Sequence, residues 1–128
     1  MNCPCGTSKK YTDCCEKAHK ELASVLTAEQ LMRSRYTAFT MANGDYLMKS
    51  HHAVTRPINQ KDSIENWAKS VAWIRLEILE TTKGTSNDEH GTVTFNAYYF
   101  EQGSVAIIHE KSAFVKVNGS WMYLGLAT

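Results

Sequence analysis

The chain has 128 residues, 43% of them hydrophobic and 21% charged, which is ordinary globular composition at a length that supports one core rather than two. Fourteen Lys and Arg against thirteen Asp and Glu leave a formal charge of +1, so no broad basic field for nucleic acid is present and no general electrostatic partner follows. No apolar run approaches the roughly 20 residues of a membrane span, and the N-terminus opens on Cys and Lys instead of an apolar leader, so the expected location is the cytoplasm.

Residues 1–20, MNCPCGTSKKYTDCCEKAHK, hold every cysteine of the chain and lack a regular apolar face. A segment this short cannot fold by apolar burial alone. Cys3 and Cys5 form one close pair and Cys14 and Cys15 another, separated by eight residues, which is how a chain supplies four ligands to a tetrahedral ion. Pro4 stiffens the first pair, Gly6 permits a tight turn after it, Thr12 or Asp13 is placed to cap a short helix bearing Cys14 and Cys15, and Tyr11 is placed to shield a metal. One structural zinc is therefore expected, with the four thiolates closing its shell and leaving no catalytic position. Disulfides and a redox dithiol are the alternatives; the reducing compartment, the strain of a vicinal bridge and the lack of Cys-x-x-Cys count against them. His19 stands either as a second-shell group or replacement ligand, or as a solvated helix residue.

From about Ser24 to Ser50 the apolar residues Leu26, Leu31, Tyr36, Phe39 and Leu47 recur at mostly helical spacing. Thr27 with Gln30 predicts a capping box, and Asn43-Gly44 predicts a break followed by a shorter helix near Asp45. A third short helix is expected around Trp67, over 62–69. Beyond Val71 the period becomes two: Ile74, Leu76 and Ile78 are expected on one face of a strand, and Val93, Phe95, Ala97 and Tyr99 on one face of the next. Gln102-Gly103 turns into a long strand, and Asn118-Gly119 signals a type I′ hairpin before the last one. Helices first and four antiparallel strands afterwards predict an α+β fold, with helices packed on one face of a twisted sheet.

Arg33 and Arg35 are two apart on a helix and project in well-separated directions, so one is expected to enter the domain. Glu110 is the best partner for it, tying helix to sheet; an anion-binding pocket is the functional alternative. His109 and Glu110 are neighbours on a strand and point to opposite faces, which argues against a simple acid/base dyad. His51-His52 lacks a third partner in sequence for a second metal site.

CPCGTSKKYTDCC resembles the SEC-C motif, the zinc-binding element at the C-terminus of the translocase motor SecA and in small bacterial proteins. It departs at Ser8 and Glu16, where that motif usually has glycine. LMRSRYTAFTMANGDYL, IHEKSAFV and the following Gly-x-Trp-x-Tyr are similar to the YchJ family. That resemblance covers nearly the whole chain and implies a SEC-C element at 1–20 followed, over 21–128, by a cone-shaped domain like nuclear transport factor and ketosteroid isomerase. If the cone is open, it implies a pocket near its mouth, for which Arg33, Arg35, Tyr36, Trp73, Tyr98, His109, Glu110 and Trp121 are candidates; if filled, the aromatic residues are core. Lys9, Lys10, Lys17 and Lys20 rim the cysteines, and likeness to the SecA tail implies docking to a chaperone or ribosome through Lys9 and Lys10. The leading expectation is a zinc-binding adaptor; the rivals are a small-ligand binder or enzyme using the cone, and a zinc that only staples the N-terminus. Pairing through an exposed sheet is the expected form of any homodimer.

Overall fold

The computed structural model describes residues 2–127. A 3-10 turn at Tyr11–Asp13 leads into α1 (Cys15–Lys20), a second turn at Leu22–Ser24, and then α2 (Ala28–Thr40), α3 (Gly44–Lys49) and α4 (Lys61–Ser70). Four strands follow, β1 (Ala72–Lys83), β2 (His90–Glu101), β3 (Ser104–Val117) and β4 (Ser120–Leu126), in one antiparallel sheet of order β1-β2-β3-β4. The α+β reading, helices before a four-stranded meander, is what the chain adopts.

Local chemistry fixes the boundaries. Thr27 caps α2, its Oγ1 accepting from the Gln30 N–H at 3.1 Å. The reciprocal half of the expected capping box is displaced by one residue, because Gln30 Oε1 accepts from the Leu26 N–H at 2.9 Å. The Asn43-Gly44 break separates α2 from α3: Asn43 Oδ1 accepts from the Tyr46 N–H, and the Gly44 N–H donates to Glu65, so close that a Cβ at 44 would collide with that carboxylate. At both hairpin tips two successive residues have positive φ, Gln102 and Gly103 at 50° and 83°, Asn118 and Gly119 at 52° and 83°, the type I′ geometry whose twist matches the strands.

Trp121, Phe114, Val93, Leu31 and Leu47 are the most deeply buried large side chains, where the inner face of the sheet meets α2 and α3. One strand departs from its sequence pattern. The register of β1 slips between Trp73 and Arg75 and again between Ile78 and Glu80. Each bulge adds a residue and reverses the alternation. Trp73 thereby turns inward, while Ile74, expected beside Leu76, is 50% exposed. The N-terminal segment is part of the body: Ala18 and Leu22 belong to the same apolar cluster as Leu31 and Trp121.

Candidate metal centre

The Sγ atoms of Cys3, Cys5, Cys14 and Cys15 all lie within 4.8 Å of one another, and none is in a disulfide. A tetrahedral thiolate shell with bonds of about 2.3 Å has sulfur–sulfur edges of about 3.8 Å. The cluster matches that size, with Cys5 and Cys14 3.6 Å apart. The four residues can therefore hold a metal ion. Backbone hydrogen bonds set the loop: Cys3 N–H donates to Lys9 O at 2.8 Å, Gly6 N–H to Cys3 O at 3.2 Å, and Cys14 N–H to Tyr11 O at 3.0 Å. Gly6, at φ 98°, occupies the left-handed region that glycine enters freely.

Thiols this crowded compete for their protons. The hydrogen bond between them draws Cys5 down to about 4 and pushes Cys15 up, and burial raises Cys14. A divalent cation held by the four cysteines would replace the shared protons and let all four ionise together. Hydroxyl groups line the sulfurs on both sides: Thr7 Oγ1 is 3.2 Å from Cys14 Sγ, and Thr37 Oγ1 donates to Cys15 Sγ at 3.3 Å.

His19 lies outside this donor set. Its Nε2–H donates to Ser34 O at 2.8 Å, which leaves Nδ1 to accept from the Tyr11 hydroxyl at 2.9 Å. Both ring nitrogens are engaged in seating the knuckle on α2, so the replacement-ligand alternative is not realised. Arg33 adds a further tie: Nη1 donates to Cys5 O at 2.6 Å while Nε pairs with Glu29 at 2.9 Å. Residues 33 and 37, one turn apart, thus face the metal site along with the carbonyl of Ser34.

The opposite stripe of α2 carries Met32, Arg35, Tyr36 and Phe39, spaced i, i+3, i+4, i+7, and closes a cavity of about 160 Å³ against the sheet and α4. Trp73 and Glu110 line it too. The expected Arg–Glu110 ion pair is absent among the described residues. Arg35 Nη1 donates instead to Leu47 O at 2.9 Å and Ser50 Oγ at 2.7 Å, with the guanidinium carbon 4.6 Å from the centre of the Tyr123 ring. Burial draws Arg35 down to about 10, so it stays protonated at neutral pH. Glu110 accepts from the hydroxyls of Ser112 and Tyr123.

The remaining candidates stand elsewhere. Tyr98 and His109 are on the outer face of the sheet: Tyr98 donates to Glu77 at 2.8 Å under Arg75, and His109 Nδ1 is 2.7 Å from Asn96 Oδ1. His109 and Glu110 do face opposite ways. Trp121 is completely buried and donates to Leu26 O at 3.0 Å, so it is core and not cavity lining. The side chains of Lys9 and Lys10 are exposed on the knuckle's outer surface. Sequence reading missed Thr37, Ser50, Trp67 and Tyr123. Thr37 carried a signal, since it lies one turn beyond Arg33; Ser50 and Tyr123 meet Arg35 only through tertiary folding.

The histidines imply a pH dependence. Burial lowers the pKa of His19, and burial with the nearby Arg35 and Arg56 lowers His51 to about 4. A group depressed in the folded state takes up a proton preferentially on unfolding. Stability is thus complete above about 6.5, the unfolded histidine value, and falls as pH drops toward the His51 value of about 4. Urea titrations across that interval are expected to show a declining midpoint, with a shallower decline in His51→Gln. Parallel slopes would remove His51 from the account.

A four-cysteine knuckle of SEC-C type seated on an α+β domain like nuclear transport factor is the class that this fold and site define. Comparison with known proteins agrees: the family model described as "YchJ, middle NTF2-like domain" matches residues 27–125. The chain belongs to the YchJ-like UPF0225 family. It is 42% identical over 125 residues to a UPF0225 protein of Vibrio vulnificus, covering 96% of this chain and 72% of that protein. It is also 42% identical over 121 residues to one of Streptomyces coelicolor, covering 94% and 90%. Two solved structures share the fold. A SEC-C motif containing protein from Rhodopseudomonas palustris superposes with TM-score 0.85 at 30% identity, over 100% of this chain and 98% of that one. Another from Psychrobacter arcticus gives 0.82 at 32%, over 100% and 84%. Among the described residues no helix is long and apolar enough to cross a membrane.

Proposed function

We propose that the four cysteines hold one structural zinc ion and that the metal-stiffened knuckle is the docking element of an adaptor, with residues 1–20 contacting an acidic partner in the cytoplasm and 21–128 carrying them. Four thiolates favour a closed tetrahedral ion such as zinc over the hard cations that prefer oxygen. The observation that carries the docking role is the two-sidedness of the knuckle. Cys3, Cys5 and Cys15 are buried, and Arg33, Ser34 and Thr37 hold that side to α2, while Lys9, Lys10 and Lys17 are exposed. A fixed cationic rim on a rigid loop gives an acidic surface a register and a fast encounter.

The likeness to the SecA tail makes purified ribosomes and a purified SecB-type chaperone the probes of choice. The zinc-loaded full chain is expected to bind one of them with an affinity that weakens as salt rises, and the double variant Lys9→Glu, Lys10→Glu to bind at least about tenfold more weakly. Equal binding by the variant, or none by the native chain to either probe, would leave the metal as a staple alone.

A further inference from the structure

The cavity under α2 has a composition that none of the metal chemistry uses. Its volume, about 160 Å³, is that of a space for one aromatic ring: a dry apolar cavity of about 150 Å³ takes up benzene. The walls are mainly Tyr36, Phe39, Trp67, Trp73 and Phe95, several already meeting edge to face, as Tyr36 on Trp73 at 5.8 Å and Trp67 on Trp73 at 5.4 Å. A further ring placed among them gains the same edge-to-face contacts.

One end of this apolar space is polar, and its hydrogen-bonding capacity is only partly used. Arg35 donates through Nη1 alone among the described residues, so Nε–H and the Nη2 hydrogens have no protein acceptor. No fully enclosed side-chain nitrogen or oxygen lacks a partner among those residues, so the free guanidinium hydrogens border accessible space, and Arg35 is one of the residues that line the cavity. Glu110 accepts both of its hydrogen bonds, from Ser112 and Tyr123, at Oε2, leaving Oε1 as an open acceptor. The cavity end thus offers donors from a cation and an acceptor from an anion. Their charges offset, so a charged guest would meet repulsion from one of them, and a guest with no polar group would leave both unsatisfied.

We propose that this cavity is a binding site for a neutral monocyclic hydroxyaromatic molecule, a phenol, whose ring fills the aromatic walls and whose hydroxyl accepts from Arg35 and donates to Glu110 Oε1. A single hydroxyl is the smallest group that meets both demands. The volume fits a single ring better than a fused multi-ring guest.

The test uses the zinc-loaded full chain, titrated with phenol, toluene and benzoate while the methyl resonances of Met32, Ala97 and Ile108, which line the cavity, are followed by NMR. Phenol is expected to shift these three in a saturable manner, with toluene and benzoate at least about tenfold weaker. Glu110→Gln, which can still accept from Ser112 and Tyr123, is expected to weaken phenol by about tenfold and leave toluene unchanged; Arg35→Lys, with circular dichroism as the folding control, is expected to do the same. Equal affinity for toluene would make the cavity an apolar space without hydroxyl recognition. Tighter binding of benzoate would make its polar end an anion site. No shift with any of the three would show that the cavity takes no ring.

Discussion

Cys15→Ser is expected to release the metal and to loosen much more than the first twenty residues. Cys15 opens α1, its sulfur accepts from Thr37 on α2, and Ala18 and Leu22 just beyond it belong to the central apolar cluster. Structural zinc contributes on the order of 10 kcal/mol to the folding of free knuckle peptides, against a net stability of about 5–15 kcal/mol for an ordinary domain. Loss of the ion therefore removes the seat of α1 and exposes the side of α2 that carries Ser34 and Thr37. Hydrogen exchange should register this as fast exchange of the Cys3, Gly6 and Cys14 amides, whose acceptors are Lys9, Cys3 and Tyr11 carbonyls within the knuckle. The amides of β2 and β3, paired on both sides in the sheet, should stay protected at neutral pH. Stripping the metal from the native chain with a chelator should reproduce the pattern. Slow exchange in the knuckle after either treatment would mean that apolar contacts alone hold it in place.

Trp121→Ala is expected to cost about 3–5 kcal/mol, among the largest effects of any single substitution, because it empties the most deeply buried large side chain. The indole is fully enclosed beneath Lys116, whose ammonium lies 5.4 Å from the ring centre, and its Nε1–H reaches Leu26 O, the residue before the cap of α2. Trp121→Phe separates the two contributions: it retains most of the volume and leaves the Leu26 carbonyl without its donor, at about 1–3 kcal/mol. Chemical denaturation would give both values. Since Trp121 does not line the cavity, the Phe variant should leave any cavity ligand bound as in the native chain.

The elements legible in the sequence are those whose determinants are local. The Thr27 cap, the Asn43-Gly44 break and the Asn118-Gly119 turn each depend on a few adjacent residues, and each stands where the pattern places it. The close pairing of Cys3 with Cys5 and Cys14 with Cys15 was legible for the same reason: spacing within a short loop brings four sulfurs together. The inner and outer faces of the sheet were less so. Two bulges in β1 change which residues point inward, and a bulge is a property of paired strands that no single strand displays. Tyr98 and Trp73, both candidates for the pocket, lie on opposite faces: Tyr98 on the outer one, as the alternation of β2 requires, and Trp73 turned inward by the first bulge of β1.

The two arginines of α2 illustrate the other limit. Helical spacing correctly separates Arg33 from Arg35, but the destination of each depends on groups distant in sequence. Arg33 ends on the carbonyl of Cys5, 28 residues upstream, and Arg35 on α3 and the ring of Tyr123, neither of which the spacing encodes. His19, four residues past Cys15, has the spacing of a spare ligand, but its two nitrogens join Tyr11 to Ser34. One helix thus separates two chemistries, with sulfur ligands against one stripe and an aromatic cavity against the other.

X-ray absorption at the zinc edge, on the full chain purified without added metal, tests the metal assignment most directly. One zinc per chain is predicted, surrounded by four sulfur scatterers at about 2.3 Å with no nitrogen or oxygen in the shell. A chain free of zinc, or a shell in which a lighter atom replaces one of the sulfurs, would contradict it.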